Sequence, residues 1–464
     1  MRLNFREVRL GGIFIRVLIT RNKEVRGIAG YLMAVIVILI LSATATSADL
    51  INKLQDGSNL KYSNLHGANL SMAHLNRSDL SYSLLQGADL SLTQMAGADL
   101  SSVTAVGANF SASKMSRASL HSSDLSKANF TGADLTGANL INANLSGADL
   151  TNATLQETTM SGVNLTHANL RGAIMNSVNL TDANLTDADL SGSFLAGSRM
   201  PGAILVGANL ANADLTGANM DSVDLNEADL TNSRLFSANL MNARLSGALL
   251  DGANLIAARL NWADFNKCKM SRSQLSRSEL YRADLSGSDL SGSDFTRAYM
   301  MRANLSGAKL DKADLAYADL TEADLSFASL KEAKIPNIDM TRADLSGADL
   351  TGVLLEFTEM LGTDLHDAIM EKATISRLAM RDVNLSGADL RGARISVSLM
   401  EMVNLTGADL SDASMEVVYM TDADLSRANL QRFKCDQFTL PYLAASRLDG
   451  ASMDEALHLQ LNGS

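Results

Sequence analysis

Every fifth residue from Leu60 to Leu430 is large and apolar: of those 75 positions all but one are Leu, Met, Phe or Ile, the exception being Ala105. Two residues before each stands a small side chain, mostly Ala, Ser, Val or Thr, and between the two lies very often Asp or Asn. The run from Ala133 to Leu140, Ala-Asp-Leu-Thr-Gly-Ala-Asn-Leu, displays the unit as A-(D/N)-L-x-x. A period of five fits neither the 3.6 of a helix nor the 2 of a long strand. Each unit therefore reads as a short extended segment followed by a turn. Its small and large apolar residues face one side, and the Asp or Asn between them and the two residues that follow face water. Pro201 and Pro336, the prolines of the array, both directly follow a central residue, where a preset φ suits the start of a turn.

A second rhythm sets how many units close one coil. Central methionines occur at 15 positions, and nine of them, including the unbroken series Met340, Met360, Met380, Met400 and Met420, share one phase of a 20-residue period. Residues 20 apart are thus expected to stack, with four units and four faces per coil.

These residues resemble the pentapeptide-repeat family, whose consensus is A-(D/N)-L-x-x, over residues 60–430. The resemblance implies an all-β fold, a right-handed quadrilateral parallel β-helix. At 20 residues per coil the array predicts about 18 to 19 coils, stacked at roughly 4.8 Å each into a rod near ~90 Å long. The interior of one coil holds four large and four small side chains, and a buried Leu contributes about 1.5–3 kcal/mol. Stability then accrues between neighbouring coils, and the two ends need covering.

Short helical caps are expected at both ends. Residues 48–59 carry apolar side chains at helical spacing and end on Gly57. In the tail, residues 431–464, Phe433, Phe438, Leu440, Tyr442 and Leu443 offer apolar cover, and Ser452–Leu461 reads as a final helix with Ser452 as N-cap. The family resemblance also implies that such a tail helix can pair two copies into a homodimer. Ahead of the array, residues 1–47 read as an export signal: Arg16, Arg21, Lys23 and Arg26 precede the apolar run 31–41 and the A-x-A-like stretch Ala43–Ala45. The stretch 27–45 is also long enough for an uncleaved signal anchor. Either reading sends the rest of the chain across a membrane, to a periplasm, a lumen or the cell exterior, with membrane contact only through that segment.

Composition narrows the chemistry. The formal net charge is −12, and because the first 45 residues carry seven basic groups against two acidic ones, the body is more acidic still. That disfavours direct binding to nucleic acid, which needs Lys and Arg on the phosphates. Cys268 and Cys435 stand too far apart for a metal or redox motif, and the six histidines are scattered. Cys268 occupies a small inward position, the place of an inert buried thiol. Asp recurs down each face without the clustered oxygen ligands that calcium requires, so hydrogen-bonded ladders are expected and no metal. No nucleophile elbow or phosphate-cradling glycine loop is present. The expectation is a non-enzyme without cofactor.

Two surface features remain. On the Met face of the last coils the consensus fails around Met360, Met380, Met400 and Met420. Phe357, Val397, Leu399, Val417 and Tyr419 should point outward there, with Leu361 and Met402 at the next corner. Such a strip marks a contact with a protein partner. A basic window, Lys267, Lys269, Arg272, Arg277, Arg282, Arg297 and Arg302, is interspersed with Glu279, Asp284, Asp289 and Asp294 and reads as self-neutralising. The chain is therefore expected to be an exported structural or protein–protein interaction module. The family resemblance implies one alternative, an acidic DNA mimic that modulates a type II topoisomerase.

Overall fold

The computed structural model describes residues 4–10, 13–19 and 54–463. Two strands at the start, β1 (Asn4–Leu10) and β2 (Ile13–Ile19), pair antiparallel. Of the export signal expected over 1–47, residues 20–47, which include the anchor stretch 27–45, lie outside the described residues, as do residues 48–53 of the expected N-terminal cap helix. Residues 54–59 form a turn and a bridge position of the first coil instead of helix. From there the chain forms two compact units, one reaching Asn209 and one beginning at Leu210.

Both units are built from the same coil. In the first, parallel bridges join Asn59 to Asp79, Asn64 to Leu84 and so on to Asp189 with Asn209, always 20 residues apart. In the second the same spacing runs from Asp214–Arg234 to Asp409–Asn429. The fold is the parallel, four-sided β-helix that the repeat predicts, and the Met series stacks in register, with Met360 opposite Met380, Met400 opposite Met380 and Met420 opposite Met400.

The backbone turns because the central residue's carbonyl accepts the N–H three residues on, as from Ala138 to Leu135 at 2.9 Å. The second residue after the centre takes positive φ: Gly137 at 66° and Asn142 at 55°, the geometry of a type II turn. The Asp or Asn before the centre explains itself here. Asp134 Oδ1 accepts the Thr136 N–H at 3.0 Å and its hydroxyl at 2.6 Å, which closes the turn from the side. Asn144 accepts the Ser146 N–H at 3.2 Å, donates to Asp124 one coil back at 3.1 Å and accepts from Asn164 one coil on at 3.1 Å. Pro201 and Pro336 follow the same logic in reverse. The residues at their cap positions are Arg199 and Lys334, which have no acceptor, so a missing N–H costs nothing there.

Central and small residues fill the interior. Phe110 and Phe130, one coil apart, stack with ring centres 4.8 Å apart and planes 5° from parallel. Several serines at small positions donate to nearby carbonyls, as Ser123 does to Leu100 at 2.8 Å and Ser273 to Met270 at 2.7 Å, whereas the hydroxyls of Ser83, Ser198 and Ser233 are buried without a partner.

Around the late methionines the ladder thickens into a parallel sheet. Six of its seven strands are β3 (Leu354–Glu356), β4 (Glu359–Leu361), β5 (Thr374–Ser376), β6 (Ala379–Arg381), β7 (Arg394–Glu401) and β8 (Ser414–Thr421), and the seventh, Lys434–Cys435, pairs with β8. β7 and β8 run eight residues through a corner where Val397 and Val417 stand in place of Gly or Asn yet keep the positive φ of the other corners, 48° and 56°, a region that branched side chains disfavour.

The tail closes the last coil. After β9 (Asn429–Leu430) and β10 (Lys434–Cys435), helix α1 (Leu440–Ala445) adds residues, so Asp424 pairs with Arg447 and Asn429 with Ser452 at a spacing of 23. Thr439 and Asp436 cap the open edge of β8 by accepting the Val418 N–H at 3.0 Å and the Val417 N–H at 3.1 Å. Of the expected apolar cover, Phe433 and Leu443 are buried and Tyr442 packs edge-on against Tyr419, whereas Phe438 is exposed. Helix α2 spans Glu455–Gly463, shorter at its start than the sequence predicts. Ser452 is not its N-cap: it lies in β11 (Ser452–Met453), its N–H committed to Ala428, and Asp454 caps the helix by accepting the Leu457 N–H at 2.9 Å.

Candidate interaction surface

The second unit carries the strip. Phe357, Leu361, Val397, Leu399, Met402 and Tyr419 are exposed, Val397 at 56% and Tyr419 at 47%, and Val417 is half-buried. Ladder register joins the centre of the strip: Leu399 stands directly opposite Tyr419 on the adjacent coil, with Ala379 on its other side, whereas Leu361 stands opposite Arg381 and Arg377 lies between Phe357 and Val397. Tyr442 from α1 meets Tyr419 at 5.3 Å between ring centres, extending the apolar surface onto the cap. Each of these residues is held outward because its neighbours in sequence, such as Ser398, Met400 and Val418, are buried.

The same face runs further back than the sequence reading followed it. Outward positions numbered like 397, 399, 401 and 402 recur every 20 residues, and upstream they hold Trp262, Tyr281, Tyr299, Met301 and Tyr317. The Arg282 guanidinium carbon lies 4.7 Å from the centre of the Trp262 ring and 5.5 Å from that of Tyr281. Arg297 sits 5.5 Å from Tyr317 and Arg377 5.0 Å from Phe357, each again one coil apart. An exposed cation–π contact of this kind contributes about 0.5–1 kcal/mol. The signal was present in the numbering, since all these residues share one quarter of the 20-residue coil.

The basic window divides along these lines. Arg302 pairs with Glu322 at 2.7 Å, and that guanidinium holds the Glu322 carboxyl below its usual range. Glu279, expected to neutralise its neighbours, pairs instead with Arg259 at 3.7 Å. Arg282 and Arg297 are engaged by aromatic rings and, among the described residues, form no ion pair, so the window is only partly self-neutralising. Lys267, Lys269 and Arg272 fall on other faces.

Elsewhere the chemistry is quiet. Cys268 is buried, its thiol donates to the Leu245 carbonyl at 2.9 Å, and burial pushes its pKa up to about 12, so it is no nucleophile at neutral pH. Burial and the adjacent Asp436 also raise the half-buried Cys435. His366 is raised by its hydrogen bond to Asp364 at 3.0 Å, on the surface. Among the described residues no three His, Cys, Asp or Glu side chains come together in a group that could hold a metal, and no helix is long and apolar enough to cross a membrane.

The family model described as pentapeptide repeats matches residues 58–202, 278–396 and 403–434 in overlapping segments, and a second, described as a pentapeptide repeat region, matches 208–295. The chain belongs to the pentapeptide-repeat family. Solved pentapeptide-repeat proteins resemble it over part of its length. HetL, described as involved in heterocyst differentiation regulation in the cyanobacterium Nostoc, is 31% identical over 46% of this chain and 88% of its own, with a TM-score of 0.37. QnrB1, a plasmid-mediated fluoroquinolone resistance protein, is 19% identical over 42% of this chain and 93% of its own, with a TM-score of 0.20. A protein of the Arabidopsis thaliana thylakoid lumen is 28% identical over 26% of this chain and 68% of its own, with a TM-score of 0.11. No curated protein matches the sequence.

Proposed function

We propose that this pentapeptide-repeat chain is a non-catalytic module that binds a protein partner through the face bearing Phe357, Leu361, Val397, Leu399, Met402, Val417 and Tyr419. The observation that carries the reading is the exposed apolar cluster at the centre of that face, where Leu399 meets Tyr419 in ladder register and Tyr442 packs beside it, on a repeat whose other outward positions are largely polar. A filled interior of stacked Leu, Met, Phe and Ala supplies rigidity, and the residues that usually carry catalysis are scattered or, like Cys268, buried and inert. Replacing Leu399 and Tyr419 together by Asp puts two charges at the centre of the strip. The double variant is expected to lose a partner recovered with the wild-type chain from its own host, with an unchanged circular dichroism spectrum. Undiminished recovery removes the strip from the proposal.

The module works outside the cytosol in this reading, on the strength of the basic stretch and apolar run before residue 45. Residues 1–60 fused to a reporter active only after export should give signal; a reporter retained in the cytosol ends the compartment claim. The acidic DNA-mimic reading has less support. Ladder carboxylates such as Asp134 and Asp344 are half-buried and accept backbone N–H groups, so they are not presented as free rows of charge.

A further inference from the structure

We infer that the Arg- and aromatic-bearing extension of this face, residues 257–422, takes an extended acidic segment of the partner protein; the inference rests on the binding role proposed above and names its chemistry. The face differs in kind from the rest of its unit. Ten of the sixteen exposed large apolar side chains between 210 and 463 stand at its outward positions, Trp262 and Tyr419 near its two ends. Every cationic side chain at those positions is arginine; the lysines of the unit all lie on other faces. Arginine stacks on rings and presents a planar fork to carboxylates, whereas lysine is a point charge on a flexible stem.

The arginines fall into two groups. Arg259, Arg302, Arg342 and Arg381 already have glutamate partners on the same face. Arg277, Arg282, Arg297 and Arg377 form no ion pair among the described residues, and the last three lie against Trp262, Tyr317 and Phe357. A guanidinium held over a ring keeps its N–H edge free while its flexibility is already spent, which is how arginine and aromatic anchors act at binding hot spots. Asp319 and Asp339 on the same face close their own turns, accepting the N–H groups of Thr321 and Thr341 at 3.0 and 2.9 Å, and form no ion pair with these arginines among the described residues. Free guanidinium edges between apolar patches are complementary to carboxylates interleaved with apolar side chains. Polyphosphate ligands fit less well, because they carry no apolar side chains to cover the exposed rings of Trp262, Tyr317 and Phe357.

The face from 262 to 419 covers about eight coils, roughly 38 Å at ~4.8 Å per coil. A peptide of about 12 residues spans a similar roughly 40 Å when extended. The probe is therefore a fluorescein-labelled peptide of that length with the repeat Glu-Glu-Leu, titrated with the full chain by fluorescence anisotropy. Arg282→Glu, Arg297→Glu and Arg377→Glu in one variant should weaken binding by about tenfold or more. Lys331→Glu, Lys334→Glu and Lys372→Glu, the same charge change on other faces, should leave it near wild type. Absence of peptide binding, or equal loss in both variants, overturns the inference. So does duplex DNA competing as well as the peptide, or self-association of the wild type that the arginine variant abolishes, since these identify nucleic acid or a second copy as the occupant. If the host partner is lost on changing Leu399 and Tyr419 but kept in the arginine variant, the binding role stands and the acidic-segment inference falls.

Discussion

Phe130→Ala should lower stability by about 3–5 kcal/mol, the cost of removing a fully buried ring from a packed core. Phe130 is completely buried and lies flat against Phe110 of the preceding coil, so the deletion also strands one face of that neighbour. The interior of a coil is narrow and its backbone is pinned on both sides by ladder hydrogen bonds, such as Phe130 N–H to Asp149 at 2.6 Å, which limits collapse into the vacated space. A urea titration of the full chain should show the midpoint moving to lower denaturant. Because coils are stabilised by their neighbours, the loss should be local as well. Limited proteolysis is expected to cut first near 110–150, and an unchanged midpoint with unchanged cleavage would mean the interior is far more pliant than its packing indicates.

Proline substitution should separate two positions that look equally exposed. Asn144→Pro removes an N–H bonded to the Ser123 carbonyl at 2.8 Å, the Asn144 cap on Ser146 and both side-chain links to Asp124 and Asn164. The expected cost is about 3 kcal/mol or more. Asn176→Pro places the same ring directly after a central residue, where Ile174 offers the turn no side-chain acceptor, as Arg199 and Lys334 offer none to Pro201 and Pro336. There the change should be near neutral, or stabilising by about 0.4–1 kcal/mol through the stiffer unfolded chain. Thermal melts of the two variants side by side provide the check. Equal destabilisation would show that the cap position does not govern where proline is tolerated.

Much of this architecture was legible because the repeat is so regular. Alternation of small and large residues two apart states which side chains go inward, and each of those positions from Leu70 to Leu430 is buried. Five-residue spacing states that a turn follows each pair. The phase of the methionines states that four units make a coil, and the bridges between residues 20 apart repeat that count. The outward orientation of Phe357, Leu399 and Tyr419 followed from the same register.

The tail was less legible, and Ser452 shows why. Its side chain is a good N-cap, but its backbone is needed to continue the ladder from Ala428, and a ladder hydrogen bond outweighs a one-residue preference in where a helix begins. Neither the three extra residues of the last coil nor the capping of β8 by Thr439 leaves a periodic mark, because each occurs once. Phe438 is similar: apolar composition suggested cover, and only the path of α1 decides that Leu443 faces in and Phe438 out.

What the sequence determined by itself is the coil: its period, its inward residues, its turns, and the acceptor that closes them, since all of these depend on residues within five positions of each other or on one constant offset. What only the tertiary structure decided is how the outward side chains use their neighbours. Arg302 takes Glu322 while Arg282 takes Trp262, although both arginines occupy the same corner and differ by one coil. That choice depends on which side chain stands 20 residues away and on the rotamers that let them meet, so a periodic pattern can place the charge without stating whether a carboxylate, a ring or water receives it.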